Sequence, residues 1–189
     1  MTQVPLSNPA PAVSETLPAL LAAGAVASEQ QQQYLTFTLA EEMFAIGILS
    51  IREILEYGQL TEVPMTPTFI RGVINLRGAV VPVIDLAVRF GRQPREVTKR
   101  TCIVIIETDT GAGQTQQMGI VVDAVSEVLE IPPSEIEPPP AFGARIRIDF
   151  IKGMGKIAGK FVVILDVNRI LSLDEVAVVT AMQQDALAA

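Results

Sequence analysis

Residues 69–85, FIRGVINLRGAVVPVID, have a close counterpart later in the same chain. Residues 150–166 read FIKGMGKIAGKFVVILD, and at a constant offset of 81 residues both segments keep a Phe-Ile pair, two glycines and a closing aspartate. A shared preference for β-branched residues explains the valines, but it does not explain glycines and an aspartate held at one spacing. The chain therefore contains an internal repeat.

A second match lies upstream in each copy of the repeat. Residues 45–56, AIGILSIREILE, correspond to residues 119–130, GIVVDAVSEVLE, and this alignment matches Glu53 with Glu127. The offset is 74 residues here, so the two copies differ by seven residues in a connecting loop, where a change of length is tolerated. Two matches in the same order indicate a tandem duplication of a unit of roughly 60 to 75 residues.

Short runs of β-branched residues separated by glycine and proline turns predict a mainly β fold. Two small closed barrels side by side are the predicted arrangement, over residues 34–90 and 101–171, with residues 91–100 as a solvated linker. Glycines at matched positions are predicted to shape the turns: Gly72, Gly78, Gly153 and Gly159.

Helical structure is predicted at two places only. Thr66 as N-cap and Pro67 at the first position favour one helical turn near residues 66–71. Residues 172–189 have helix-forming composition and predict a C-terminal helix. By contrast, residues 1–33, rich in proline, alanine and glutamine, lack a periodic apolar face and are expected to be a disordered extension.

Composition limits the possible functions. The chain of 189 residues has a net charge of −7, no histidine or tryptophan, and only seven Phe and two Tyr. Acidic charge and few aromatic residues disfavour nucleic-acid binding. Without histidine, the commonest general base and metal ligand is missing, so we expect no enzyme activity, no metal site and no cofactor. A lone Cys102 and the lack of a basic residue before Arg52 favour a cytoplasmic protein.

Four stretches resemble the CheW-type adaptors of bacterial chemotaxis: FAIGILSIREIL, TPTFIRGVINLRGAVVPVIDL, MGIVVDAVSEVLEI and FIKGMGKIAGKFVVILDVNRIL. The resemblance covers about residues 34–171 and implies two SH3-like five-stranded β-barrel subdomains in tandem. It also implies a non-catalytic adaptor that couples methyl-accepting chemoreceptors to the histidine kinase CheA, with contact to the membrane only through the receptors and no small-molecule substrate. The regulatory domain of CheA is a competing resemblance, disfavoured because the chain is short and has no ATP-binding motif.

The resemblance further implies which residues contact partners. These residues are Ile51, Glu53, Ile54, Arg77, Gly119, Val122 and Val125. Arg77 differs between the copies, since Ala158 stands at its matched position, and we expect Arg77 to come near Glu53 on the surface of the first barrel. A small-barrel module that binds a ligand or nucleic acid remains the alternative function.

Overall fold

The structure is a computed structural model that describes residues 32–111, 113–141, 146–170 and Ala181. Most of the predicted N-terminal extension lies outside the described residues. Its last two members, Gln32 and Gln33, do not belong to an extension, because they open the first strand. The predicted C-terminal helix over residues 172–189 also lies outside the described residues, apart from Ala181.

Eleven strands account for most of the regular structure in the described part of the chain. The first copy contains β1 (Gln32–Leu39), β2 (Glu42–Gly47), β3 (Ile51–Glu56), β4 (Ile70–Leu76) and β5 (Ala79–Asp85), followed by the short helix α1 (Leu86–Arg89). The second copy contains β6 (Cys102–Asp109), β7 (Thr115–Val122), β8 (Ala124–Ile131), β9 (Ile136–Glu137), β10 (Ile151–Ile157) and β11 (Lys160–Leu165). Single 3-10 turns lie at Ile48–Ser50, Pro133–Glu135 and Ile148–Phe150.

These strands form two sheets that each mix the two copies of the repeat. The order is β8-β1-β2-β11-β10-β9 in the six-stranded sheet and β3-β6-β7-β5-β4 in the five-stranded sheet. The mainly β fold with two barrel-like sheets is confirmed. The division into a barrel over residues 34–90 and another over 101–171 is wrong, because each copy gives its first two strands to the sheet built by the other copy's last strands.

The exchange of strands is the same in both directions. A parallel contact joins the copies twice, as β5 beside β7 with Val83 opposite Gly119, and as β11 beside β2 with Ile164 opposite Ala45. At the offsets of 74 and 81 residues these two pairs are equivalent positions. The sequence duplication is therefore a structural pseudo-symmetry.

Apolar side chains form three clusters that follow from this arrangement. Each sheet encloses a small cluster on one face, around Tyr34 and Ile164 in one sheet and around Val83 and Ile103 in the other. A larger cluster draws buried residues from both sheets, since alternate residues of a strand face opposite sides. Phe37, Phe44, Phe90 and Phe150 run through this cluster as a series of rings with centroids about 6 Å apart.

Residues 66–71 differ from the predicted helical turn. The amide of Ile70 donates to the carbonyl of Pro67 at 2.9 Å, which closes one reverse turn, and β4 begins at Ile70. The hydroxyl of Thr66 donates backward to the carbonyl of Val63 at 3.0 Å and does not cap a helix. The strand pairing of Ile70 with Ile84 ends the turn before helical bonds can form.

The predicted linker, residues 91–100, contains no helix or strand, but ion pairs hold it against the sheets. Arg92 pairs with Glu42 at the start of β2, and Arg95 lies 3.5 Å from the carboxylate of Asp123 between β7 and β8. The side chain of Arg92 is only 18% exposed, so this part of the linker is packed and not solvated.

Candidate functional site

The turn between β4 and β5 presents Arg77. Leu76 pairs with Ala79, which leaves a two-residue turn made of Arg77 and Gly78 with φ of 53° and 88°. Two positive φ values in a two-residue hairpin are typical of a type I′ turn, which matches the twist of the strands. Asn75 accepts a hydrogen bond from the amide of Gly78 at 2.8 Å and closes the turn. The predicted turn role of Gly78 fits this geometry, and Gly159 has the same role in the second copy with φ of 78°.

Arg77 reaches Glu53 through two parallel hydrogen bonds. Its Nη1 donates to Oε1 at 3.0 Å and its Nη2 donates to Oε2 at 3.1 Å. The predicted proximity of these two residues is confirmed. The side chain of Arg77 is 78% exposed and that of Glu53 is 23% exposed, so the guanidinium stays open to solvent while the carboxylate is partly covered. The free edge of the guanidinium can donate hydrogen bonds to a further carboxylate of another molecule.

Strand β3 places Glu53 for this contact. Its pairing with β6 shifts between Ile51 and Glu53, and this β-bulge locally changes the direction of the side chains. The next residue, Ile54, is 43% exposed, whereas Ile51 is partly buried against the large cluster. Glu53, Ile54 and Arg77 are therefore accessible residues of the predicted set.

The three remaining residues of the predicted set do not form a surface with Arg77. A Cβ on Gly119 would lie 2.7 Å from Cγ2 of Ile103, so this glycine fills the interior of its sheet. Val122 is fully buried in the large cluster, and Val125 is partly buried on β8 of the other sheet. Direct contact of Gly119 or Val122 with a partner is incompatible with their burial, because apolar residues of paired strands face the core here.

Gly72 and Gly153 have a different role from the predicted turns. Both lie inside strands, next to a shift in the hairpin register. A Cβ on Gly72 would collide with the carbonyl oxygen of Thr61, which pairs with Val73, and a Cβ on Gly153 would lie 2.7 Å from Cγ2 of Ile136. These glycines are required by close approach of a neighbouring segment.

Arg89 makes contacts that were not predicted from the sequence. Its guanidinium lies 5.0 Å from the ring centroid of Phe69 and 4.8 Å from that of Phe150. Its Nε also donates to the carbonyl of Ile170 at 2.7 Å. The two phenylalanines are matched positions of the repeat, so Arg89 joins the copies near their junction. The only sequence signal is its own asymmetry, since Ile170 stands at the matched position.

Charged side chains of the described residues form ion pairs at the surface, and they form no cluster of potential metal ligands. Among them, no three His, Cys, Asp or Glu residues are placed to hold a metal ion. Arg52 binds Glu107 with two hydrogen bonds, and this contact lowers the pKa of Glu107 and raises that of Arg52. No helix in the described part of the chain is long and apolar enough to cross a membrane. The Arg77–Glu53 contact is suited to binding a polar partner.

Comparison with known proteins shows one consistent family. Residues 33–175 match the model of the CheW-like domain. The chemotaxis protein CheW of Klebsiella aerogenes is 38% identical over 148 residues, which cover 78% of this chain and 86% of that protein. FrzA of Myxococcus xanthus is 30% identical over 119 residues, which cover 63% of this chain and 71% of that protein.

A solved structure has the same fold. The crystal structure of the scaffolding protein TtCheW from Thermoanaerobacter tengcongensis superimposes with a TM-score of 0.69 at 36% sequence identity, covering 77% of this chain and 91% of that one. The family model, the relatives and the solved fold agree with the repeated strand architecture described above. This chain belongs to the family of CheW-like proteins.

Proposed function

We propose that this protein is a chemotaxis adaptor that couples methyl-accepting chemoreceptors to the histidine kinase CheA. Membership of the CheW-like family supports the adaptor role, and the relatives named above include a chemotaxis protein and a scaffolding protein. The accessible bidentate contact between Arg77 and Glu53 is the observation that connects the proposal with particular residues. The adaptor acts in the cytoplasm and without catalysis, by holding its partners in one complex.

Arg77 is the residue through which we expect the coupling to act. Its guanidinium is already oriented by Glu53, so little side-chain freedom is lost when an acidic group of a partner binds its open edge. Ile54 adds an exposed apolar contact one residue along β3 from Glu53. Ile51 and Val125 support this role from partly buried positions, and Gly119 and Val122 act only by shaping the core.

A reconstituted assay with receptor, adaptor and kinase tests the proposal. Arg77→Ala should abolish receptor-dependent kinase activation and leave the fold intact. The turn tolerates alanine, since Ala158 occupies the matched position with φ of 48°. The lost ion pair is exposed and contributes only about 0 to 1 kcal/mol to stability. Lys156→Ala, in the corresponding hairpin of the second copy, is the matched control and should couple normally.

The same assay can refute the proposal in two ways. A folded Arg77→Ala variant that activates the kinase as well as the wild-type protein would remove Arg77 from the mechanism. A wild-type protein that binds neither receptor nor kinase would refute the adaptor function itself.

A further inference from the structure

Arg89 contacts the two copies of the repeat at equivalent positions. The offset of 81 residues matches Phe69 with Phe150, and the guanidinium carbon of Arg89 lies 5.0 Å and 4.8 Å from their ring centroids. The same offset matches Arg89 itself with Ile170, whose carbonyl accepts a hydrogen bond from its Nε at 2.7 Å. A residue reaches its own matched position only near the axis that relates the copies. The guanidinium of Arg89 therefore lies close to a pseudo-twofold axis.

The two phenylalanines stand at the base of the two matched hairpins. Phe69 directly precedes β4, and Phe150 directly precedes β10. The carbonyl of Phe69 accepts the amide of Asp85 at 2.7 Å, where β5 ends. The carbonyl of Phe150 accepts the amide of Asp166 at 2.9 Å, directly after β11. Each ring is thus connected through its backbone to both strands of its own hairpin.

The helix that carries Arg89 is fixed to the first copy. Helix α1 follows β5 without a break, and Oδ1 of Asp85 accepts the amide of Val88 at 3.2 Å and caps the helix. The side chain of Arg89 is partly buried and extends from this helix to Phe150 and Ile170 in the second copy. Its backbone therefore belongs to one copy, and its side chain bonds to the other.

The contacts of Arg89 with Phe69, Phe150 and Ile170, which we call the axial clamp, join the two sheets. The hairpin after Phe69 belongs to the five-stranded sheet and presents Arg77 at its turn, whereas the hairpin after Phe150 belongs to the six-stranded sheet. We propose that Arg89 is a positioning residue for the adaptor: the axial clamp fixes the orientation of the Arg77 hairpin relative to the six-stranded sheet, and kinase activation requires that orientation.

This inference rests on the proposed adaptor function. An adaptor that holds several partners in one complex needs its surfaces in a fixed relative orientation, because each partner is placed by the surface that it binds. A single partner needs only its own surface. Loss of the axial clamp should therefore impair kinase activation in the complete complex and leave the binding of each isolated partner unchanged.

The axial clamp requires a planar guanidinium. Its faces can pack on aromatic rings while its Nε donates in the plane to a carbonyl. Arg89→Lys keeps the charge, but a compact ammonium cannot make the same set of contacts at once. Arg89→Met keeps an apolar stem and removes the charge and the donor. The two variants separate the geometry of the guanidinium from its charge and its packing.

Arg147 provides the matched control, because it lies over the same ring as Arg89. Its guanidinium carbon is 5.2 Å from the ring centroid of Phe150, and its Nη2 lies 3.3 Å from Oδ2 of Asp149. The side chain of Arg147 is 67% exposed, and within the described residues it has no hydrogen bond, ion pair or ring contact with the first copy. Arg147→Met removes a cation from the ring and leaves the axial clamp intact.

A pair of spin labels measures the relative position of the sheets without any partner. Glu56→Cys on β3 and Lys156→Cys on β10 place one label in each sheet at an exposed position, in a Cys102→Ser background that removes the lone native thiol. Double electron–electron resonance should give one narrow distance distribution for this protein and for its Arg147→Met variant. Arg89→Met should widen the distribution about twofold, and Arg89→Lys should give an intermediate width, because a packed junction without its clamp has more than one arrangement.

The reconstituted assay with receptor, adaptor and kinase measures the functional consequence. Arg89→Met should lower receptor-dependent kinase activation about tenfold and Arg89→Lys about threefold, within the range of coupling between distant sites. The Kd of each variant for the receptor alone and for the kinase alone should stay within about twofold of the wild-type value, since distant, independent sites do not interact. Arg147→Met should activate the kinase normally.

Each result supports or overturns the positioning role of Arg89. Normal activation by folded Arg89→Met would overturn it, whether or not the distance distribution widens, and so would full activation by Arg89→Lys. A loss of activation matched by an equal rise in one Kd would also overturn it, because Arg89 would then act through a binding surface. Unfolding of both Arg89 variants would restrict the residue to stability. Failure of the wild-type protein to activate the kinase would refute the adaptor function, and the distance distributions would still decide whether Arg89 fixes the sheets.

Discussion

The buried carboxylate of Asp85 is bound by the guanidinium of Arg71. Nε of Arg71 donates to Oδ2 of Asp85 at 2.8 Å, and Asp85 is only 3% exposed. The other oxygen, Oδ1, accepts the amide of Val88 at 3.2 Å and caps helix α1. The matched pair in the second copy, Lys152 and Asp166, forms no such bridge within the described residues. The same repeated aspartate therefore has two different structural roles.

Asp85→Asn should destabilise the protein by about 2 kcal/mol, because it removes the counter-charge of a partly buried guanidinium. The figure is lower than for a fully buried pair, since the side chain of Arg71 is 31% exposed and partly solvated. Asp166→Asn is the matched control, and its expected cost is within about 0.5 kcal/mol. Urea unfolding at neutral pH measures both, and equal losses would contradict the asymmetry.

Gly72→Ala should destabilise the protein by about 3 kcal/mol. The new Cβ meets the carbonyl of Thr61, which is backbone and cannot rotate away, and φ at this residue is +149°. Gly47→Ala is the control, because nothing lies within 4 Å of its Cβ position and its φ is −57°. Chemical unfolding of the two variants should separate them clearly. A near-neutral Gly72→Ala would mean that Thr61 and Val73 do not pair in solution.

Cys102 should react slowly with a thiol reagent in the folded protein and fast in denaturant. It opens β6, is half-buried, packs against the large cluster, and its Sγ donates to the carbonyl of Arg100 at 3.3 Å. Access and not thiol chemistry limits the reaction in the folded state. The absorbance of the coloured group that the reagent releases on reacting with the thiol measures the rate. Equal rates in buffer and in urea would show that this end of β6 opens freely.

Acidification should remove the contribution of Glu107 to stability. Hydrogen bonds from Arg52 lower the pKa of Glu107 below its ordinary value of 4.5, so the folded state favours the carboxylate. Stability from this pair is full above that ordinary value and is lost as the pH falls through the lower folded pKa. Glu107→Gln should therefore lose less stability than the wild-type protein between pH 5 and pH 3, as measured by urea midpoints. An identical loss would show that the pair contributes nothing.

Local features of the fold could be predicted because they depend on neighbouring residues. The glycine of a two-residue hairpin requires positive φ, so Gly78 and Gly159 mark their turns in the sequence. Runs of β-branched residues form strands for equally local reasons, as β6 does with Cys102–Asp109. The prediction of a helical turn near residues 66–71 is wrong, because the pairing of β4 with β5 overrides the local preference of Thr66 and Pro67.

The candidate site was predictable in part. The contact of Arg77 with Glu53 could be predicted from the sequence, because the glutamate recurs in the second copy and the arginine does not. Both residues also lie on adjacent parts of one copy. The burial of Gly119 and Val122 could not be predicted. An apolar strand residue faces either the core or a partner, and its alternation pattern is the same in both cases.

The sequence by itself determined that the chain is built from two similar units, because a repeat at constant spacing is visible without any structure. Only the tertiary structure decided which strands pair. Strand β1 binds β8 and strand β6 binds β3, so each unit completes its sheet with strands of the other. The physical reason is that the two units have nearly the same pattern of apolar faces and backbone bonds. The local pattern is therefore compatible with strand pairing within a unit and with strand pairing between units. The apolar core that the two sheets share determines which pairing forms.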